Sequence, residues 1–222
     1  MSKRKAVLFV NGEAGDLTRL PLEPNDYLIA VDNGWRHLSA LGLLPQLLIG
    51  DLDSLPAAAQ QAASEHAIET LRYPVEKDQT DLELALNVAV QRGFTRIMLA
   101  CALGGRLDHT LGSLSLLVRP DLAQKEVWME DGLCEVRLTR GELSIATEPG
   151  DLVSLIPWQG DAHGIRTEGL YYPLHNETLH VAATRGISNL ALGASVSLSV
   201  RSGTLLVIHY HQLRTEEGKF DE

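Results

Sequence analysis

Only two cysteines occur in the 222 residues, Cys101 and Cys134, and neither has a Cys-x-x-Cys partner. A disulfide framework is therefore not expected, and the pair reads as two packed thiols in a reduced intracellular protein. Positive charge is short as well. Nineteen Lys and Arg against 29 Asp and Glu leave a net charge of −10, which argues against a nucleic-acid-binding face. It leaves nucleotides open, because a bound Mg²⁺ reverses the local field. There is no run of eighteen apolar residues, so no membrane-spanning helix is expected. The basic start, Met1 to Lys5, precedes an apolar run of only Ala6 to Val10. That run is too short for a signal peptide and reads as a first strand, with the cytoplasm as the expected location. Neither G-x-x-x-x-G-K-[S/T] nor G-x-G-x-x-G occurs, which disfavours a standard P-loop kinase or dinucleotide oxidoreductase. Internal repeats and low-complexity tracts are absent too.

What is present suffices for a packed core: 45% of residues are apolar and 22% charged. The length suits one large domain or two small ones. The first 130 residues alternate strand and helix signals. Strands are expected at Ala6–Val10, Tyr27–Val31, Gln46–Ile49, Ala67–Tyr73, Arg96–Ala102 and Lys125–Glu130. Helices are expected at Trp35–Leu44, Pro56–His66, Asp81–Arg92 and Leu107–Val118. Asp81–Arg92 is the clearest, with Leu82, Ala85, Leu86 and Ala89 on one stripe and Gly93 at its end. Alternation of this kind means βαβ units and a mostly parallel sheet. After Asp131-Gly132 helical periodicity fades. Glu135–Thr139, Leu143–Thr147, Leu152–Pro157 and Ser195–Arg201 alternate apolar and polar residues between turn signals, as in an all-β sandwich or barrel. Two domains follow, 1–132 and 133–222, with a charged and frayed tail from Thr215.

Three segments of the first half concentrate acidic residues. They are Ile49-Gly50-Asp51-Leu52-Asp53-Ser54, Lys77-Asp78-Gln79-Thr80-Asp81 and Gly104-Gly105-Arg106-Leu107-Asp108-His109. Parallel sheets bind ligands beyond the carboxyl ends of their strands, where Asp32, Asp51, Asp53 and Asp108 fall. Asp51 and Asp53 are two apart, so an extended segment turns both side chains the same way, toward one cation. An ordinary Asp/Ser turn explains them about as well. Thr80 and Glu83 have capping-box spacing, so Asp81 is accountable as a first-turn helix residue. Lys77 and Asp78 before that helix are less easily accounted for, and suit a phosphate and a metal. Gly104 and Gly105 allow close backbone approach, and Arg106 can fork onto phosphate oxygens. The alternative there is a tight turn with Asp108 in a helix's first turn. His209 and His211 share one face of a terminal strand and offer half a metal site, with a satisfied or exposed pair as the simpler reading. Trp158 is placed either to stack on an aromatic ligand or to pack. Ser54 and Ser188 have no identifiable His–acid partners, which leaves a hydrolase triad unsupported.

These residues resemble the thiamine pyrophosphokinase family. The resemblance runs through Val31-Asp32-Asn33-Gly34, Leu41-Gly42 to Ser54, Lys77–Asp81 and Gly104–Thr110. It continues through Gly169–Leu174, Arg185-Gly186-Ile187-Ser188-Asn189 and Gly203–Ile208, nearly the whole chain in order. It implies an α/β nucleotide domain with a mostly parallel sheet, followed by a β-sandwich domain that binds thiamine. It implies Mg²⁺-dependent transfer of a diphosphoryl group from ATP to the thiamine hydroxyl, giving thiamine diphosphate and AMP. It also implies a homodimer with a shared active site. By that resemblance Asp51, Asp53 and Asp78 hold metal, and Asp81 or Asp108 orients the hydroxyl or accepts its proton. Asp32, Gln79 and Arg106 hold the nucleotide, and Ser188 and Asn189 contact thiamine. Two departures stand out. Asp32-Asn33-Gly34-Trp35 replaces the usual Asp-Gly-Gly and small residue. Leu205 to Ile208 offers no aromatic where some members stack thiamine, leaving Trp158, His209 or Tyr210 as substitutes. The rival readings are a metal-dependent nucleotide or diphosphate hydrolase, and a catalytically silent thiamine or nucleotide sensor.

Overall fold

Strands and helices alternate through most of the first half of the chain, as its apolar runs require. The computed structural model describes residues 4–53 and 55–211; Ser54 and the tail from 212 lie outside the described residues. The chain divides into two units, Met1–Gly132 and Leu133–Glu222.

In the first unit β1 (Ala6–Phe9) is followed by β2 (Tyr27–Val31), α1 (Trp35–Ala40), β3 (Leu47–Gly50) and α2 (Ala57–Glu65). Then come β4 (Glu69–Arg72), α3 (Asp81–Gln91), β5 (Arg96–Ala100), α4 (Leu107–Leu116) and β6 (Glu126–Glu130). The strands pair in the order β6-β5-β1-β2-β3-β4, all parallel. Every residue of β1 and β3 is buried, which is why these strands read as continuous apolar runs rather than alternating ones. On α3 the expected stripe, Leu82, Ala85, Leu86 and Ala89, is buried. Thr80 caps this helix by accepting from Glu83 N at 3.2 Å, and Gly93 follows its end at φ +81.

Expected and observed boundaries differ most at α1, which stops at Ala40 rather than Leu44. Gly42 takes φ +68, its N–H donates to Ser39 O, and Leu43 N–H donates to Leu38 O. This is a Schellman closure, which satisfies the last carbonyls and turns Leu43 and Leu44 outward.

The second unit is all-β: β7 (Cys134–Thr139), β8 (Glu142–Ala146), β9 (Leu152–Pro157), β10 (Ala162–Glu168), β11 (His175–Leu179), β12 (Asn189–Leu190), β13 (Ser195–Ser199) and β14 (Leu205–Tyr210). One antiparallel sheet runs β12-β9-β14-β7, the other β11-β10-β13-β8. Val153 and Leu155 of β9 and Leu205 and Val207 of β14 share a core with Ile145, Ile165, Val196 and Leu198 of the other sheet. Two sheets joined by one apolar interior are a sandwich. The sequence reading had no strand at β10, β11 or β12.

Candidate active site

Strand order reverses between β1 and β5, the place where open parallel sheets form a crevice. The loops after these two strands are tied together. Gly12 N donates to Cys101 O and Glu13 N to Leu103 O, each at 2.9 Å. Gly104 sits at φ +73, and a Cβ there would stand 2.7 Å from the Glu13 carboxylate, so the second loop can lie on the first only as glycine.

The next two strands deliver the acidic groups. Asp32 leaves β2 at φ 48. The left-handed turn thus falls on Asp32 itself. Gly34 passes so close to β1 that a Cβ would lie 1.9 Å from Phe9 O. Trp35 turns into the core, which accommodates the bulky departure from the family pattern. Gly50 closes β3, and a Cβ there would stand 1.6 Å from Asp32 Oδ1. The Asp32 carboxylate occupies the space that glycine leaves.

Asp32, Asp51 and Asp81 face one another, with Lys77 beside them. Burial pushes the Asp32 carboxyl up to about 7; the charge and hydrogen bond of Asp81 and the charge of Asp51 push the same way, and Lys77 opposes them. Asp32 Oδ1 is buried with no hydrogen-bond partner among the described residues. Lys77 Nζ lies 2.7 Å from Asp81 Oδ1. Asp51 Oδ1 accepts from Asp53 N at 3.0 Å, and Arg72 Nε donates to Asp51 O at 3.3 Å. Gln79 Nε2 donates to Glu83 Oε1 at 2.8 Å.

Asp53 and Asp78 are exposed. Asp51, Asp53 and Asp78 do not close into a three-ligand cage; among the described residues the set of three metal-capable groups within 4.8 Å of one another lies in the second unit. Arg106 and Asp108 are exposed at the start of α4. They pair through Arg106 Nη2 to Asp108 Oδ2 at 2.5 Å and Nε to Oδ1 at 3.1 Å. That fork holds the Asp108 carboxyl below the usual carboxylate range. A second feature of this unit, a cavity of about 440 Å³, is lined by Asn33, Trp35, Arg36, Leu43 and Pro56.

In the second unit a groove of about 520 Å³ is lined by Leu155, Tyr171, Tyr172, Arg185, Ile187 and Asn189, a size that suits a small organic ligand. Asn189 is buried and builds the wall. Its Oδ1 accepts from Tyr172 N at 3.0 Å and its Nδ2 donates to Tyr172 O at 2.8 Å. Ser188 is exposed at φ 60, and its N–H donates to Ser154 Oγ at 3.0 Å. Tyr171 and Tyr172 meet edge to face with centroids 4.8 Å apart. The sequence reading gave these rings no role, although two adjacent tyrosines before Pro173, outside any alternating run, were the available signal. Of the expected substitutes, His209 is buried against Asp151, while Tyr210 is exposed and Trp158 partly so.

Comparison with known proteins matches both halves. Residues 19–129 match the family described as thiamin pyrophosphokinase, catalytic domain, and residues 141–205 match the thiamin pyrophosphokinase vitamin B1 binding domain. The chain is 31% identical to the thiamine pyrophosphokinase of Bacillus subtilis (strain 168) over 182 residues, covering 81% of this chain and 85% of that protein. A crystal structure of thiamine pyrophosphokinase from Bacillus subtilis superposes with a TM-score of 0.85 at 26% identity, over 95% of this chain and 100% of that one. A second crystal structure, from Geobacillus thermodenitrificans, gives 0.80 at 27% identity, over 95% and 98%.

Proposed function

The chain belongs to the thiamin pyrophosphokinase family, and from that premise we propose that it transfers a diphosphoryl group from Mg²⁺-bound ATP to the hydroxyl of thiamine, releasing AMP. Formation of thiamine diphosphate from thiamine is what the family membership supports directly. The observation that carries the finer reading is the convergence of Asp32, Asp51 and Asp81 around Lys77, with Asp32 Oδ1 buried and unpartnered among the described residues. A site with more negative charge than its lysine can balance is suited to a further cation. All-oxygen donors fit Mg²⁺, which is held by one or two carboxylates and completed by water and phosphate oxygens. When bound there it would neutralise charge on the transferring and leaving oxygens.

The residues divide the work as follows. Asp51, which belongs to that cluster, would hold the metal together with Asp53 and Asp78 of the same two loop segments, directly or through water. Arg106 exchanges its exposed fork on Asp108 for phosphate oxygens, while Asp32 and Gln79 hold the nucleotide. The thiamine hydroxyl oxygen bonds to the β-phosphorus, the bond from that phosphorus to the oxygen bridging to the α-phosphate breaks, and AMP leaves with that oxygen. The hydroxyl proton goes to a carboxylate. Asp81 suits this role better than Asp108, since it stands in the cluster with Asp32 while Asp108 is exposed at the start of α4. Ser188 and Asn189 hold thiamine in the second unit's groove, Asn189 chiefly by fixing Tyr172. The active species is a cytoplasmic homodimer, the first unit of one chain completing its site with the second unit of its partner.

Product analysis tests the reaction. Incubation with Mg-ATP and thiamine is expected to give thiamine diphosphate and AMP in equal amounts, and Asp53→Asn to abolish both. ADP with thiamine monophosphate would place attack at the γ-phosphorus. Nucleotide breakdown without a thiamine product would mean a hydrolase, and saturable thiamine binding without turnover a sensor.

A further inference from the structure

The second unit contains a polar cluster that diphosphoryl transfer does not use. His209, on β14, is 1% exposed and lies between carboxylates from the strands on either side. Its Nε2 is 2.7 Å from Asp151 Oδ2, and its Nδ1 is 3.6 Å from Glu135 Oε2. Glu135 is the residue directly opposite it on β7, and Asp151 immediately precedes β9, the other neighbour of β14. Glu135 is also ion-paired with Arg137, and Asp151 Oδ2 accepts from Glu148 N at 2.8 Å. His211 follows two residues on, its ring centroid 4.4 Å from that of His209. One ligating atom from each of Asp151, His209 and His211 lies within 4.8 Å of the other two.

We propose that Asp151, His209 and His211 bind a divalent cation of the zinc class, with Glu135 orienting the His209 ring from outside the coordination sphere. The donor set discriminates between metals. Imidazole suits zinc, cobalt, nickel and copper, whereas Mg²⁺ prefers oxygen, so this is a different site from the carboxylates of the first unit. Two imidazoles and a carboxylate supply three positions of a tetrahedron, and solvent supplies the fourth. Ligands about 2.0–2.2 Å from a tetrahedral ion stand roughly 3.3–3.6 Å apart. The His209–Asp151 contact needs to open only slightly, and His211 to move inward.

The outer contact has the expected form as well. A metal-bound histidine ordinarily gives its other ring N–H to a carboxylate, and Glu135 stands on that side of His209. Among the described residues Nδ1 has no hydrogen-bond partner at present. A cation at Nε2 fixes the proton on Nδ1 and turns a distant contact into a defined one. The ion would tie the closing strand β14 to the turn that begins β9. Burial disfavours a charge on His209, but the neighbouring carboxylates of Glu135 and Asp151 outweigh burial and raise its pKa. Each imidazole must be unprotonated on its ligating nitrogen, so binding weakens as pH falls.

The test is a titration of the full chain, stripped with chelator, with Zn²⁺ under excess Mg²⁺ that occupies the first unit's carboxylates. One saturable Zn²⁺ per chain is expected, and Co²⁺ in its place should show the absorption bands of a four-coordinate ion. His211→Ala, at a partly exposed position, should keep the circular dichroism of the parent and weaken binding at least tenfold. Glu135→Gln should weaken it by about 10–100-fold. Absence of saturable Zn²⁺ binding, or binding that His211→Ala leaves unchanged, overturns the proposal. Neither result depends on turnover, so failure here is distinct from failure of the kinase reading.

Discussion

Asp32 carries the strongest electrostatic conflict in the first unit, and its effect has a definite sign. Its folded pKa of about 7 stands above the ordinary 3.8. Between those values the native state binds more protons than the unfolded chain, so stability falls as pH rises from about 4 to about 7. Asp32→Asn removes that penalty. In the absence of divalent cations the variant should match the parent near pH 4 and exceed it at pH 8 by on the order of 2 kcal/mol, discounted for partial exposure and for coupling to Asp81. Urea titrations at both pH values measure this; equal stabilities at pH 8 would remove Asp32 from the strained cluster. The same variant should lose about a hundredfold or more in kcat/KM, a stability gain with an activity loss that marks a functional rather than a structural carboxylate. That Asp32 follows a strand was legible in the sequence. Its dependence on Gly50 was not, because that contact comes from the register of β2 on β3, Val31 beside Ile49, and register between parallel strands is set by tertiary packing.

At the scale of elements, α3 carries Asp81, which Lys77 of the preceding loop meets at 2.7 Å, and a local device fixes where the helix starts. Thr80→Ala deletes the cap on Glu83 N and should cost about 1 kcal/mol, a fall in Tm of roughly 2–4 °C for a chain of this size. A calorimetric scan checks it, and no change would mean that packing alone sets the helix start. This element was readable because cap, apolar stripe and terminating glycine agree over eleven residues. Of the acidic motifs, Asp51, Lys77 and Asp81 come together, while Asp53, Asp78 and Asp108 remain at exposed positions. The strand β10 was unreadable for a physical reason. Gly164 takes φ +68, and the pairing with β11 shifts register between Ala162 and Ile165 and again before Arg166. Each bulge resets the inside–outside alternation that a sequence pattern relies on. β11, His175–Leu179, buries only Leu179, so it has no apolar face to read. The groove walls between these strands, Tyr171 and Tyr172 included, were hidden with them.

For the whole molecule, the acidic cluster and the tyrosine-lined groove belong to different units with separate cores. A transfer reaction needs both around one pair of substrates. The proposed dimer meets that need by composing each site from two chains, and complementation between inactive variants tests the composition. Asp51→Asn disables the first unit. Ile187→Trp, at an exposed position on the groove, crowds the second. Each homodimer should be nearly inactive. In a mixed dimer with sites shared across the two-fold axis, one site collects both lesions and the other has none. Random reassociation of equal amounts makes about half the dimers mixed, each with one working site, so about a quarter of parental activity should return. Sites contained within single chains would leave the mixture as inactive as its components, whatever the oligomeric state. Subunit exchange followed by assay of thiamine diphosphate therefore separates a dimer that completes the active site from one that merely accompanies it.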